Sequence, residues 1–152
     1  MIAALLLASA TSFDPWLIFD RSPAREHSSE TIEVGTLHDD EDFSYEFRRT
    51  VRNEHGEVVY WTDTRRCPQA LDVLISAEKL ESPAVSIPFL LGKDLIVTAD
   101  GTGYHLKADA QYPEHGLGTI EFNSNSGTPL AQWVDDSLAR LEPCWKANRM
   151  SR

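Results

Sequence analysis

Residues 128–144, TPLAQWVDDSLARLEPC, contain the start, the body and the end of one helix and finish in a cysteine. Thr128 is a good N-cap, and Pro129 suits the first helical position, where the missing N–H would have no partner in any case. Apolar residues recur at helical spacing in one stripe: Leu130, Trp133, Val134, Leu138 and Leu141. Pro143 ends the helix, so Cys144 lies just beyond its C-terminus.

An earlier helix is predicted to begin next to the other cysteine. Pro68 suits its first position, and the residue before a proline disfavours helical geometry, so Cys67 lies near the cap. The stripe expected to face the core is Ala70, Val73, Leu74, Ala77 and Leu80. Two neighbouring antiparallel helices would bring Cys67 and Cys144 within the Cα separation of about 4.4–6.8 Å that a disulfide needs. Parallel helices would keep the two cysteines apart.

Segments of strand character precede each helix. They are residues 31–37, 43–51 and 58–61 in the first half and residues 94–99, 104–111 and 118–122 in the second. The helix-opening prolines are 61 positions apart, and a Glu-His-Gly turn recurs 60 positions apart. This order predicts an α+β fold made of two β-β-β-α units, with an antiparallel sheet or sheets and two antiparallel, disulfide-joined helices on one face.

The first 30 residues are expected to lie outside this domain. Residues 2–10 are apolar and end in Ala8-Ser9-Ala10, a pattern that signal peptidase accepts, so residues 1–10 are predicted to be a signal peptide. The alternative is a buried or frayed N-terminal segment. Residues 11–30 are interpreted as an irregular arm with one apolar anchor. Residues 31–152 are then a single α+β domain.

The two cysteines agree with export. In an oxidising compartment, periplasmic or extracellular, a lone pair of cysteines is usually bonded, which predicts a Cys67–Cys144 disulfide and gives neither residue a role as nucleophile or metal ligand. Two unpaired buried thiols are the alternative if the chain is not exported. No later apolar run approaches the roughly 20 residues that a transmembrane helix needs.

The chain is strongly acidic, with a formal net charge of −10. Nucleic acid is therefore not expected as a partner, because phosphate binding needs a basic surface. Anionic lipid headgroups would repel the chain in the same way. A protein or a cationic ligand fits the charge, although acidity also serves simply to keep an exported protein in solution.

The segment before the first helix is the strongest candidate for a binding surface. Trp61, Asp63, Arg65 and Arg66 combine an aromatic residue with two arginines, a composition typical of binding hot spots. Both arginines precede a helix N-terminus, where the helix dipole disfavours positive charge. The alternative is that Trp61 belongs to the core and that the arginines pair with the acidic turn at residues 39–42. The matching loop of the second half is residues 123–127.

No motif identifies an activity, and no cofactor or metal site is predicted. The first functional hypothesis is a non-enzymatic binding or accessory module of the cell envelope that acts through the two strand-to-helix loops. The second is a hydrolase that uses carboxylate and histidine side chains near those loops, with Asp63, His55 and His115 as candidates. Solvated turn histidines are the plainer interpretation of the last two residues.

Overall fold

The computed structural model describes residues 13–38, 43–85, 87, 101–112 and 114–149. The elements in these ranges are β1 (Pro15–Pro23), β2 (Ser29–His38), β3 (Phe43–Asn53), β4 (Gly56–Asp63), α1 (Gln69–Ala77), β5 (Thr102–Tyr112), β6 (Gly116–Asn125) and α2 (Pro129–Leu141). A short 3₁₀ turn, Glu142–Cys144, continues α2. The α+β class is confirmed. Neither α1 nor α2 is long and apolar enough to cross a membrane.

The strands form one sheet in the order β4-β3-β2-β1-β5-β6, and every neighbouring pair is antiparallel. The strands predicted in residues 31–61 and 104–122 all lie within observed strands. Four described strands precede α1, and two more lie between α1 and α2. The two-unit repeat remains a prediction, because its strand at residues 94–99 lies outside the described residues. So do the signal peptide at residues 1–10 and the acidic turn at residues 39–42.

The irregular arm predicted for residues 11–30 is wrong, because β1 is an inner strand of the sheet, bonded to β2 on one side and to β5 on the other. Its prolines lie at the two strand ends, where a missing N–H disturbs the sheet least. Between them, Leu17 and Phe19 are buried on the face that the helices cover. The charged residues Asp20 and Arg21 interrupt the apolar pattern of β1, so the sequence alone does not indicate an inner strand. In the folded sheet, Asp20 contacts His105 and Arg21 pairs with Glu30.

Both helices pack against one face of the sheet, here called the helix face; the opposite face is the open face. Their buried residues share one core with those of the sheet: Leu17, Phe19, Ile32, Val34, Phe47, Tyr104 and Leu106. The Cys67–Cys144 disulfide, with Cα atoms 5.7 Å apart, joins the start of α1 to the end of α2. At the other end, Trp133 Nε1 donates to Ser76 Oγ at 2.9 Å. These two contacts confirm that the helices are antiparallel.

A polar network attaches α2 to the sheet. The hydroxyl of Tyr104 donates to Asp135 Oδ2 at 2.8 Å, and the guanidinium of Arg21 donates to Asp135 Oδ1 at 3.1 Å. Arg21 also pairs with Glu30 at 3.0 Å, and the other oxygen of Glu30 lies 2.6 Å from Arg49. Asp135 of α2 is thereby linked to four adjacent strands, β5, β1, β2 and β3, through one neutral hydrogen-bond donor and a chain of paired charges.

The Tyr104 contact makes stability depend on pH. Burial and the hydrogen bond to Asp135 raise the pKa of Tyr104 above its usual 10.0. The native state therefore holds the phenolic proton more tightly than the unfolded chain, and this stabilisation is full below pH 10.0 and is lost as pH rises through the folded-state pKa. In chemical denaturation, we expect the free energy of unfolding to fall more steeply above that pH in the wild type than in Tyr104→Phe. Equal slopes would contradict this assignment.

Candidate functional site

Asp63 and Arg66 of the predicted binding cluster shape the turn into α1. Asp63 is only 1% exposed. Its Oδ1 accepts hydrogen bonds from the backbone N–H groups of Arg65 and Arg66, both at 2.9 Å, and its Oδ2 accepts one from Arg66 Nε at 2.6 Å. The carboxylate thus fixes the backbone just before Cys67. The positive charge of Arg66, which the helix dipole disfavours at this position, is paired with Asp63. Arg65 lies at the surface.

Trp61 has a different setting, on the open face. Its ring meets that of Phe13 edge to face at 5.4 Å, and the Arg149 guanidinium lies 4.8 Å from its ring centre. Arg149 in turn donates to the buried carboxylate of Glu46 at 2.8 Å. The Trp61 backbone exchanges two hydrogen bonds with Lys146, at 2.7 and 3.0 Å. Trp61 and Arg149 therefore help to hold residues 146–149 against β4.

The two strand-to-helix loops lie far apart. β4 and β6 are at opposite edges of the described sheet, and alternation of direction across six antiparallel strands makes them run in opposite directions. The loops that follow β4 and β6 are consequently at diagonally opposite corners. A single binding surface made from residues 62–66 and 123–127 is not formed.

The candidates for a hydrolase are separated as well. His55 lies in the turn between β3 and β4, and His115 lies in the turn between β5 and β6, again at diagonal corners of the sheet. Asp63 is at the far end of β4 from His55. The described residues include no group of three or more His, Cys, Asp or Glu side chains placed to hold a metal ion.

A histidine that the sequence did not single out lies between two carboxylates on the open face. His105 Nδ1 lies 2.9 Å from Asp20 Oδ2, and His105 Nε2 lies 3.2 Å from Glu121 Oε1. The three side chains come from the adjacent strands β1, β5 and β6. Only the register of those strands brings them together, so no local spacing in the sequence indicates this cluster.

An apolar cleft of about 530 Å³ opens between α1 and the helix face of β5 and β6. This volume lies within the range of about 300–1,000 Å³ that is usual for ligand sites. Its sheet side includes Leu106, Ala108, Ile120 and Phe122, and its helix side includes Leu71, Leu74 and Ile75. Leu71 and Ile75 are 45% and 44% exposed although both are large and apolar. The cleft is therefore open to a ligand along its α1 side.

The charges at the cleft are acidic. Among the described lining residues, the charged ones are Glu78 and Asp109, and the uncharged polar ones include Tyr45, Ser82 and Gln111. Glu78 is the C-cap of α1 and lies at the surface. Asp109 alternates with the lining residues Ala108 and Ala110, so strand geometry directs its side chain to the open face. A positive ligand group would thus meet Glu78 first.

The sequence contained one indication of this cleft. Leu71 and Ile75 are four residues apart and lie outside the stripe predicted to face the core, so α1 carries a second apolar stripe. Comparison of the chain with protein-family models, curated proteins and solved structures gave no match. The geometry defines an α+β domain with a disulfide-linked helix pair and an apolar cleft beside α1.

Proposed function

We propose that the protein is an exported, non-enzymatic binding or accessory module of the cell envelope, and that its ligand occupies the apolar cleft beside α1. The observation that carries this proposal is the cleft itself, with large apolar side chains left exposed at its rim. Contiguous exposed apolar surface on a small domain is typical of binding sites. The hydrolase alternative is not pursued, because Asp63, His55 and His115 lie at different corners of the sheet.

Export is supported by the disulfide. The chain has two cysteines, and they are bonded to each other. Such bonds persist in the periplasm or outside the cell and are rare in the reducing cytosol.

The proposed ligand is a basic, amphipathic segment of a partner protein. Its apolar side chains would fill the cleft over Ile120 and Phe122. Its basic side chains would meet an acidic group beside the cleft, which is Glu78 at the rim for a helical segment or Glu121 on the open face for an extended one. The net charge of −10 favours the approach of a positive partner over longer distances. Apolar contacts would then supply most of the affinity, and charge would supply the selectivity.

This proposal predicts binding of short basic amphipathic peptides. We expect isothermal titration calorimetry to detect binding of at least one of two acetylated, amidated peptides, a lysine–valine peptide of strand pattern or a lysine–leucine peptide of helical pattern. Ile75→Ser removes apolar contact at the rim without changing the net charge and should weaken that binding by about tenfold. Val58→Ser is the matched control, because Val58 is also half-exposed but lies on β4. Counterparts with glutamate in place of lysine should bind more weakly.

Two results would overturn the cleft as the ligand site. One is that neither basic peptide binds at millimolar concentration. The other is that Ile75→Ser and Val58→Ser weaken the binding equally, which would place the ligand elsewhere.

A further inference from the structure

β6 forms one edge of the described sheet and has few of the features that protect an edge strand. Its sequence, GLGTIEFNSN, contains no proline, lysine or arginine. Its pairing with β5 runs without a bulge from Gly116, opposite Tyr112, to Asn125, opposite Gly103. Natural edge strands are commonly protected by lysine, proline, bulges or a covering segment, because unpaired backbone groups recruit other strands.

The edge formed by β4 is different. Backbone hydrogen bonds between Trp61 and Lys146 attach the C-terminal residues beside it. Arg52 of β3 and Glu57 of β4 form a charged pair near the turn between these two strands, with Arg52 Nε and Glu57 Oε2 2.6 Å apart. Among the described residues, the β4 edge of the sheet is thus covered and charged, while β6 forms a regular edge strand with Glu121 as its one ionisable side chain.

The side chains of β6 connect this edge to the cleft. Ile120 and Phe122 lie on the helix face and line the cleft. Glu121 lies on the open face, and Leu117, on the same face, is 88% exposed. In an antiparallel pair, about half of the backbone N–H and C=O groups of each strand point away from its partner. A strand added to β6 would use those groups and would extend the sheet side of the cleft.

We propose that the partner segment binds in extended form as an additional strand on β6, which rests on the function proposed above. Alternate apolar side chains would then point to the helix face and continue the row formed by Ile120 and Phe122. The intervening basic side chains would point to the open face, beside Glu121. A second copy of this chain fits the edge less well, because it would bring another Glu121 and another net charge of −10 to the same surface.

The test uses the lysine–valine peptide and two N-methylated forms of it. Methylation on alternate residues removes either the N–H groups that face β6 or those that face away, without changing side chains or charge. We expect one methylated form to bind about tenfold or more weakly and the other to bind like the unmodified peptide, because main-chain hydrogen bonds carry strand addition. Amide hydrogen exchange should slow in β6 on binding and remain unchanged in β4.

The possible results separate this inference from the proposed function. If the lysine–leucine peptide alone binds the cleft, or if both methylated forms bind as well as the unmodified peptide, strand addition is wrong while the binding module remains. If no basic peptide binds, the proposed function falls and the inference falls with it. If the protein alone sediments as a dimer with protected β6 amides, the edge belongs to a second copy, which also overturns the inference.

Discussion

Replacing Phe19 with alanine is expected to lower the free energy of unfolding by about 3–5 kcal/mol, the usual range for a buried phenylalanine. Phe19 is fully buried at the middle of β1. Its strand neighbours are Ile32 of β2 and Leu106 of β5, and its ring packs against Trp133 of α2 at a centroid distance of 4.8 Å. Truncation would therefore leave a cavity where three strands and a helix meet, with little freedom to collapse.

Chemical denaturation of Phe19→Ala beside Ile18→Ala measures this effect. Ile18 belongs to the same strand but points to the open face and is only partly buried, so its truncation should cost distinctly less. An irregular arm at residues 11–30 would instead make both substitutions mild. Equal, small losses of stability in the two variants would contradict the central position of β1.

Removing the disulfide should have an effect of similar size. Cys67 and Cys144 are 77 positions apart, so their bond closes a long loop in the unfolded chain. We expect Cys144→Ser to lower the free energy of unfolding by about 2–5 kcal/mol, since the unfolded state gains conformational freedom when the loop opens. The bond also holds the start of α1 against the end of α2, where the helix pair meets the turn formed by Asp63.

The double variant Cys67→Ser/Cys144→Ser is the control, because it leaves no buried thiol. Denaturation of both variants, and of the wild type with reductant, should give similar stabilities. Wild-type protein unfolded without reductant should show no titratable thiol. Two reactive thiols under those conditions, or a Cys144→Ser variant as stable as the wild type, would contradict both the bond and its contribution.

Local signals in the sequence were sufficient for α2, for the start of α1 and for most strands, although α1 ends at Ala77 and so excludes Leu80 of the predicted stripe. Thr128 caps α2 through its hydroxyl, which accepts from the Ala131 N–H at 3.1 Å, as the sequence predicts. The apolar stripe of α2 is fully buried, and the disulfide has the predicted partners. These features depend on residues close in sequence, or on the one geometric condition that the helices are antiparallel.

β1 and the candidate site were missed because they depend on long-range partners. Adjacent charged residues such as Asp20 and Arg21 are typical of a loop. Their partners, His105 and Glu30, are known only once the register of the sheet is known. In the same way, the sequence predicts Arg66 as a binding residue, whereas the structure shows its positive charge paired with Asp63. The cleft depends on the distance between α1 and β5. The periodicity of residues within a single segment contains no information about that distance.

The position of β1 also has a consequence for the order in which the chain assembles. β1 pairs with β2, which follows it directly, but its other side pairs with β5, as in the contact between Asp20 and His105 across 85 positions. A meander of β1 to β4 can form from local contacts, whereas the β5–β6 hairpin must return to an early strand, and contacts of long sequence separation form slowly. During synthesis from the N-terminus, the side of β1 that pairs with β5 would therefore stay unpaired until β5 has been made. That interval is the stage at which this protein would be most open to aggregation or to a chaperone.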